Sequence, residues 1–397
     1  MTAADPDNIQ LGAQLGQWQR KALMVGAAGV LVAIAGFLLE GWAQFLRSYF
    51  FAYLFWTGMA LGCLGILLLH HTVGGKWGML LRRLCEAGAR LVPYMIIGLI
   101  PVLLSLPTLY PWDRPEALHD PVIQHKVAWL NVPGMVGRSI FYFVVWTFYA
   151  YRLSKLSWQQ DETGEPSLID RMRALSAPGL VVFTFVTTGA FIDWIMALEP
   201  HWFSTMYGIM FLVGQVLESF AFTIALVILL SARAPLKNYV TKQHFHDLGN
   251  MMFAFMVLWA YLSFSQFLIT WAGNLPNEIP WYLNRLRGGW GWVALTLVIF
   301  HFATPFVLLL MRGTKRHPQR LLRVCMLMIV VRIIDVYWIV EPAFYGQKIQ
   351  IHWLDFVTPL AIGGLWVAGF FWQLRSHPLV PLRDPNLQGA PRETVAF

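Results

Sequence analysis

The side chains best placed for chemistry in this sequence are acids embedded in long apolar segments. Asp193 and Glu199 lie in the segment DWIMALEPHWF, and Asp335 and Glu341 lie in the similar segment DVYWIVEPAFY. An ionised side chain inside a bilayer costs at least roughly 2.5 kcal/mol on insertion scales, so it persists where it is paired or functional. A positioned carboxylate can take up and pass on a proton, and the two segments therefore indicate proton transfer.

Arginine pairing distinguishes the two aspartates. Arg332 precedes Asp335 by three residues, so the two share a helix face and can neutralise one another. This pair is either a buried structural ion pair or a device in which Arg332 keeps Asp335 ionised and ready to accept a proton. Ala190 occupies the corresponding position before Asp193. The sequence therefore predicts that Asp193 has no cationic partner and is protonated at rest.

The other ionisable groups have a local and a functional interpretation. Glu199 and Glu341 follow their aspartates by six residues, a step that turns a helix by about 240° and rises about 9 Å, so each Asp and its Glu occupy different faces. A capped, solvated helix end before proline is the favoured role for both, with a proton relay through water as the alternative. Glu218 lies in mid-span near Gln215 and indicates a proton path. His301 is expected to be a hydrogen-bonded core histidine.

The sequence offers no ligands for an electron carrier. A membrane b-type haem needs two imidazoles at similar depth on facing helices, and His301 is the only histidine clearly in mid-span. Cys63, Cys85 and Cys325 are far apart and form no CxxC or CxxCH motif. We therefore expect this chain to bind no haem, no iron–sulfur cluster and no metal, so that any electrons must pass through another subunit.

Composition indicates which elements must position these acids. The chain has 397 residues, of which 57% are hydrophobic and 13% charged, whereas soluble domains average roughly 45–50% and 25%. A span of a ~30 Å hydrocarbon core takes roughly 20 apolar residues. The predicted fold class is an all-α polytopic membrane protein with ten transmembrane helices, at 22–45, 49–69, 90–109, 136–152, 177–198, 204–230, 248–272, 290–311, 321–341 and 353–374.

The distribution of Lys and Arg predicts the orientation. With the N-terminus inside, 21 of the 29 Lys and Arg residues fall in inner segments and 7 in outer ones, with Arg332 inside a span. This predicts a cytoplasmic N-terminal segment (1–21), a membrane domain (22–374) and a cytoplasmic tail (375–397). The net charge of +8 then reflects topology and contact with anionic lipid, and nucleic acid is not an expected partner.

Two connecting segments have features of their own. The segment 76–90 places leucines on one helical face and basic residues on another, which predicts a helix lying in the inner interface. The long, proline-rich outer loop 110–136 either contacts an extracytoplasmic partner or is simply solvated.

The two acidic segments indicate an internal repeat. Their Asp-x5-Glu-Pro patterns are 142 residues apart, a distance that covers four spans, so both copies run from inside to outside. We therefore predict two parallel four-helix bundles, spans 2–5 (about 49–198) and spans 6–9 (about 204–341), flanked by spans 1 and 10.

These features resemble one family. The ten spans, the two bundles, the stretch DWIMALEPHWFSTMYG (193–208) and the terminal HPLVPLRDPN (377–386) resemble the NrfD/polysulfide-reductase membrane-subunit family. Within it, the chain looks like the ActF family of quinone-binding-type subunits of alternative complex III, a bacterial quinol:electron-acceptor oxidoreductase. The resemblance covers nearly the whole chain, and the stretch around Asp193 is its most specific part.

The resemblance implies a respiratory complex of the bacterial inner (plasma) membrane that oxidises menaquinol or ubiquinol near the outer face and releases protons there. It implies as partners a homologous ten-helix sister subunit, an extracytoplasmic iron–sulfur subunit, multihaem cytochrome c subunits and in some cases a terminal oxidase. The sister subunit is the stronger candidate for the quinol site. The chain would then be a non-autonomous subunit whose candidate residues for the proton path or the quinol surroundings are Asp193, Glu199, Asp335, Glu341, Arg332, Glu218 and His301.

Two other classes of function stay open at this point. A proton-coupled secondary transporter fits the spans, the repeat and the buried acids, but it predicts paired helix breaks, and Pro101 and Pro305 do not correspond in the repeat. A purely structural anchor for redox subunits predicts that neutralising Asp193, Asp335 and Glu218 leaves turnover unchanged.

Overall fold

The computed structural model describes residues 6–234, 236–381, 383 and 384, with side chains from residue 11 onward. All regular secondary structure in these ranges is helical. The first half contains α1 (Pro6–Glu40), α2 (Trp42–Val73), α3 (Met79–Ala89), α4 (Val92–Leu103), α5 (Leu106–Leu109), α6 (Pro121–His125), α7 (Val132–Thr163) and α8 (Ser167–Trp194). The second half contains α9 (Tyr207–Leu230), α10 (Lys242–Gly273), α11 (Ile279–Leu286), α12 (Trp290–Leu297), α13 (Thr304–Leu310), α14 (Arg312–Arg316), α15 (Pro318–Val340), α16 (Pro342–Tyr345) and α17 (Leu354–Leu374).

Length and composition qualify eight helical segments of the described chain to cross a membrane. They are Leu11–Glu40, Trp42–Val73, Met79–Leu103, Ser167–Leu198, Tyr207–Leu230, Lys242–Gly273, Trp290–Leu310 and Leu354–Leu374. This agrees with a polytopic helical membrane protein. The other two predicted spans correspond to α7 and α15, which have 32 and 23 residues. Helix α15 is about 34 Å long, but every 18-residue stretch of it contains three or more charged residues, among them Arg323, Arg332 and Asp335.

Helices α2 and α9 form the centre of the structure, and most of their residues are buried. Helix α2 packs against α3, α8, α9 and α17, and α9 packs against α8, α10 and α15. Helix α1 runs along α17, where Gly26 faces the Gly364 backbone so closely that a Cβ atom on either residue would clash. Small residues allow such close contact between membrane helices. The outer face of α1 exposes leucines and other large apolar side chains, as expected of a surface in lipid.

A helix forms in the segment 76–90, as α3, but it is not a separate interfacial helix: with α4 it makes up the membrane-crossing candidate Met79–Leu103, and its basic residues are buried. Arg82 and Arg83 are 2% and 3% exposed. Arg82 Nη1 lies 3.0 Å from Asp384 Oδ2, and Arg83 Nη1 lies 2.6 Å from Glu86 Oε2. Acids from α3 itself and from the segment after α17 neutralise these cations, so they need no solvent. Residues 382 and 385–397 of the predicted cytoplasmic tail (375–397) lie outside the described residues.

The loop 110–136 is held against the end of α8 by its own polar contacts. The Tyr110 hydroxyl donates to the Trp194 carbonyl at 2.8 Å, and Lys126 Nζ donates to the Pro200 carbonyl at 2.6 Å. His201 Nε2 lies 2.6 Å from Asp120 Oδ2. The loop therefore packs on the 193–203 segment through these contacts, while many of its other residues are exposed.

Candidate functional site

Four ionisable side chains meet in the buried centre of the second half. Glu218 comes from α9, Arg332 and Asp335 come from α15, and His301 comes from the segment between α12 and α13. Each of the four residues is at most 2% exposed. Arg332 contacts Asp335 directly, which confirms the pair predicted from their spacing, and its Nε lies 3.8 Å from Glu218 Oε2. Arg332 is therefore the single cation between two carboxyl groups.

Gln215 links the two sides of this cluster. With its amide nitrogen facing Glu218, Gln215 donates to Glu218 Oε2 at 2.7 Å, and its oxygen accepts from Arg332 Nη2 at 3.3 Å. Two glycines provide the space. A Cβ atom on Gly58 would lie 2.0 Å from the Gln215 side chain, and one on Gly214 would lie 2.5 Å from Arg332 Cζ. The polar cluster thus fits between α2, α9 and α15 only because these two positions carry no side chain.

His301 lies in a π-helical segment, Val298–Ala303, that joins α12 to α13. Pro305 follows four residues later; a proline ring clashes with the carbonyl four residues before it, and a wider helical turn relieves that clash. The His301 ring lies 4.0 Å from the Trp259 ring, and Nδ1 lies 3.8 Å from Asp335 Oδ2. Neither ring nitrogen has a hydrogen-bond partner in the described part of the chain, so the predicted hydrogen-bonded histidine is wrong.

The cluster has more polar atoms than protein partners. Besides the His301 nitrogens, Glu218 Oε1 and Arg332 Nε have no hydrogen bond to any residue that the structure describes. Buried polar atoms are normally bonded to protein or to internal water. The unpartnered atoms belong to side chains that lie within 3.8 Å of one another along the series Glu218, Arg332, Asp335 and His301.

Asp193 forms a second site at the end of α8, and the prediction that it has no cationic partner is wrong. Arg138 on α7 donates to Asp193 through Nε at 2.8 Å and through Nη2 at 3.0 Å, and the Tyr142 hydroxyl donates at 2.7 Å. Arg138 and Tyr142 are four residues apart and so share the face of α7 that meets α8. This spacing, near one end of the predicted span 136–152, is the signal in the sequence by which Arg138 could have been found. Arg138 also lies over the Trp129 ring at 4.1 Å.

Glu199 and Glu341 both differ from the solvated helix ends expected of them. Glu199 Oε2 lies 2.8 Å from Nη2 of Arg285, a 1% exposed residue of α11 that sequence reasoning missed. Arg285 also donates to the Ile339 carbonyl at 2.7 Å, so it ties the end of α8 to the end of α15. Glu341 is 1% exposed, and its carboxylate oxygens have no hydrogen bond within the described ranges. Glu341 is therefore buried inside the protein, whereas Glu199 is half-buried and paired with Arg285.

An apolar cleft lies beside the Asp193 site. Its volume is about 310 Å³, and Trp129, Leu130, Ile192, Met196, Trp202 and Phe203 are among its lining residues. Small-molecule sites of this apolar and aromatic kind typically begin at roughly 300 Å³. Ile192, a lining residue, precedes Asp193 in α8. The guanidinium of Arg138 lies over the ring of Trp129, another lining residue. The Arg138–Asp193 ion pair is therefore adjacent to residues that line the cleft.

No family model matches this chain, and no curated protein matches it significantly. The functional inference therefore depends on the geometry of the buried cluster, the Asp193 site and the cleft.

Proposed function

We propose that the chain is a membrane subunit of a respiratory quinol:electron-acceptor oxidoreductase complex, in which it conducts protons through Glu218, Arg332, Asp335 and His301. Partner iron–sulfur and cytochrome c subunits carry the electrons. The observation that supports this proposal is the buried cluster itself. A structural ion pair needs one acid for one base, whereas Arg332 lies between two carboxyl groups, and one of these, Asp335, is 3.8 Å from His301 Nδ1.

The charge balance of the cluster favours a stored proton. Two ionised carboxylates around one guanidinium would leave a net negative charge in a buried site, which is costly in a low dielectric. One carboxyl group therefore holds a proton. We assign it to Glu218, because Asp335 is in direct contact with Arg332 while Glu218 is 3.8 Å away.

The quinol part of the proposal is supported by the family resemblance and by the cleft beside Asp193. Quinol oxidation requires a base that accepts a hydroxyl proton while an acceptor takes the electron. The paired Asp193 is a carboxylate held by Arg138 and Tyr142, and it becomes a base for a bound quinol when one of these contacts opens.

We also propose ten spans in two bundles, with both termini on the cytoplasmic side. The order of helix packing supports this arrangement. In the first half α2 packs against α3 and α8, and α7 packs against α4 and α8. In the second half α9 packs against α10 and α15, and α13 packs against α10. In each half the first helix contacts the second and the fourth, and this shared contact pattern supports two bundles.

A proton-coupled transporter is the second candidate, because the π-helical segment at His301 breaks a membrane helix at mid-span. Transporters of the repeat type carry matching breaks in both halves. The counterpart helix in the first bundle, α7, is one continuous α-helix. The oxidoreductase function is therefore favoured over the transporter function.

Variants of the intact complex in proteoliposomes test the proposal. With quinol and an acceptor supplied, Glu218→Gln and Asp335→Asn should each slow quinol-linked proton movement by a factor of roughly 100 or more, the usual contribution of a positioned acid or base. The exposed Glu165→Gln is the matched control. Infrared difference spectra should show one protonated carboxyl band that Glu218→Gln removes. Normal assembly with unchanged proton movement in both variants would establish a structural anchor instead.

A further inference from the structure

Three cations at one end of the α7–α8 pair have no protein partner. Arg152 and Lys155 lie on α7, and Arg171 lies on α8. All three are exposed, and none has a hydrogen bond or ion pair with any residue in the described ranges. The neighbouring Asp170 faces Arg173 instead, at 3.8 Å. These three positive charges are therefore available to an external anion.

The three cations line a common cleft with a volume of about 460 Å³. Leu156, Gln159 and Leu175 are also among its lining residues. On α7 the lining positions 152, 155, 156 and 159 follow the spacing of one helical face, so the cleft is a groove along the two helices rather than an accidental depression. The groove combines charge at its rim, an amide donor and leucine side chains.

The same helix faces continue from the cleft as an exposed apolar surface. On α7 the next positions on this face are Phe148 and Val144, which are 53% and 61% exposed. On α8 they are Val181 and Phe185, which are 58% and 75% exposed. This surface lies toward the membrane interior from the cations, because α8 is one of the helices able to span a bilayer. A ligand that fits both parts has an anionic head and long apolar tails.

We infer that this cleft is a binding site for an anionic phospholipid, whose phosphodiester lies among Arg152, Lys155 and Arg171 and whose acyl chains lie along the apolar surface of α7 and α8. Basic pockets between membrane helices are known to hold such headgroups. A free phosphate ion would use the cations but not the apolar surface. The inference requires only that the chain lies in a membrane, and it does not depend on the proposed redox function.

Lipid binding to the purified full-length chain tests this inference by native mass spectrometry. The probes are dioleoyl phosphatidylglycerol, dioleoyl phosphatidylcholine and sodium phosphate. The chain should bind phosphatidylglycerol in preference to phosphatidylcholine, and millimolar phosphate should not displace the lipid. The variant Arg152→Gln/Lys155→Gln/Arg171→Gln should weaken phosphatidylglycerol binding roughly 100-fold, since each cation close to an anionic headgroup contributes about a factor of five.

A matched control separates this site from general surface charge. Arg312→Gln/Arg320→Gln/Arg323→Gln removes the same charge from exposed positions around α14 and the start of α15, outside the cleft. This control should keep phosphatidylglycerol binding nearly unchanged. Equal losses in the two triple variants, equal binding of the two lipids, or displacement by phosphate would each overturn the inference. The substituted side chains are exposed, and an unchanged elution profile verifies the fold of both variants.

Discussion

Replacing Arg332 with methionine is the sharpest test of the buried cluster. Arg332 is 1% exposed, contacts Asp335 directly and lies 3.8 Å from Glu218, so solvent screens none of these interactions. Removing one partner of a buried ion pair costs roughly 3–5 kcal/mol, because the other charge stays buried and unpaired. Methionine fills much of the volume of the arginine stem, so the cavity term is small. Arg332→Met should therefore lower the free energy of unfolding by roughly 3–5 kcal/mol.

A double variant separates the charge effect from lost packing. In Arg332→Met/Asp335→Leu the unpaired aspartate is removed as well, and apolar replacement of a whole buried pair is often neutral or stabilising. We expect the double variant to be more stable than Arg332→Met by at least about 2 kcal/mol. Equilibrium unfolding in mixed micelles with a rising fraction of denaturing detergent measures both values. The exposed Arg312→Met should stay within about 0.5 kcal/mol of the parent.

Two results would refute this reasoning. One is an Arg332→Met protein within about 1 kcal/mol of the parent, which would mean that the cation is not compensating a buried charge. The other is a double variant whose loss of unfolding free energy equals the sum of the losses in Arg332→Met and Asp335→Leu. That result would mean that Arg332 and Asp335 do not interact energetically.

Two further predictions follow from close packing and from pH. Gly214→Ala should destabilise the protein by about 1–3 kcal/mol through overpacking against the fixed guanidinium, whereas Gly137→Ala, with open space at its Cβ, should be neutral or stabilising in the same unfolding assay. Burial lowers the pKa of His377 below its usual value of 6.5, and its ring stacks on Trp158 at 3.7 Å. Because the fold favours the neutral ring, docking of this segment should be complete above pH 6.5 and weaken as the pH falls below that value. As the pH falls below 6.5, a spin label attached to Ser376→Cys should become more mobile. The variant His377→Phe should abolish this pH dependence. A label that is equally mobile at all pH values would contradict the prediction.

Spacing along one helix made the local parts of the site predictable. Arg332 and Asp335 pair as expected because a three-residue separation places two side chains on one face in any α-helix. Gln215 lies beside Glu218 for the same reason. The sequence also predicted the class of protein, a helical membrane protein, because few other folds accommodate a chain that is 57% hydrophobic and has apolar helices of this length.

Partners on different helices were not predictable in this way. The sequence predicted an unpaired Asp193, and the structure provides Arg138 from α7. It predicted a solvated Glu199, and the structure provides Arg285 from α11. Both arginines stand far from their acids in sequence, and their contacts depend on how each helix is rotated about its axis. Hydropathy does not encode that rotation.

The amino-acid sequence by itself determined that this protein is a helical membrane protein with acids at defined positions in its apolar segments. Only the tertiary structure decided which of those acids are paired, which stay without a protein partner, and that Glu218, Asp335 and His301 surround one arginine. The reason is physical: helical periodicity is set by the backbone, whereas the approach of α2, α9 and α15 is set by side-chain shape. Glycines such as Gly58 and Gly214 leave the space into which the polar cluster fits.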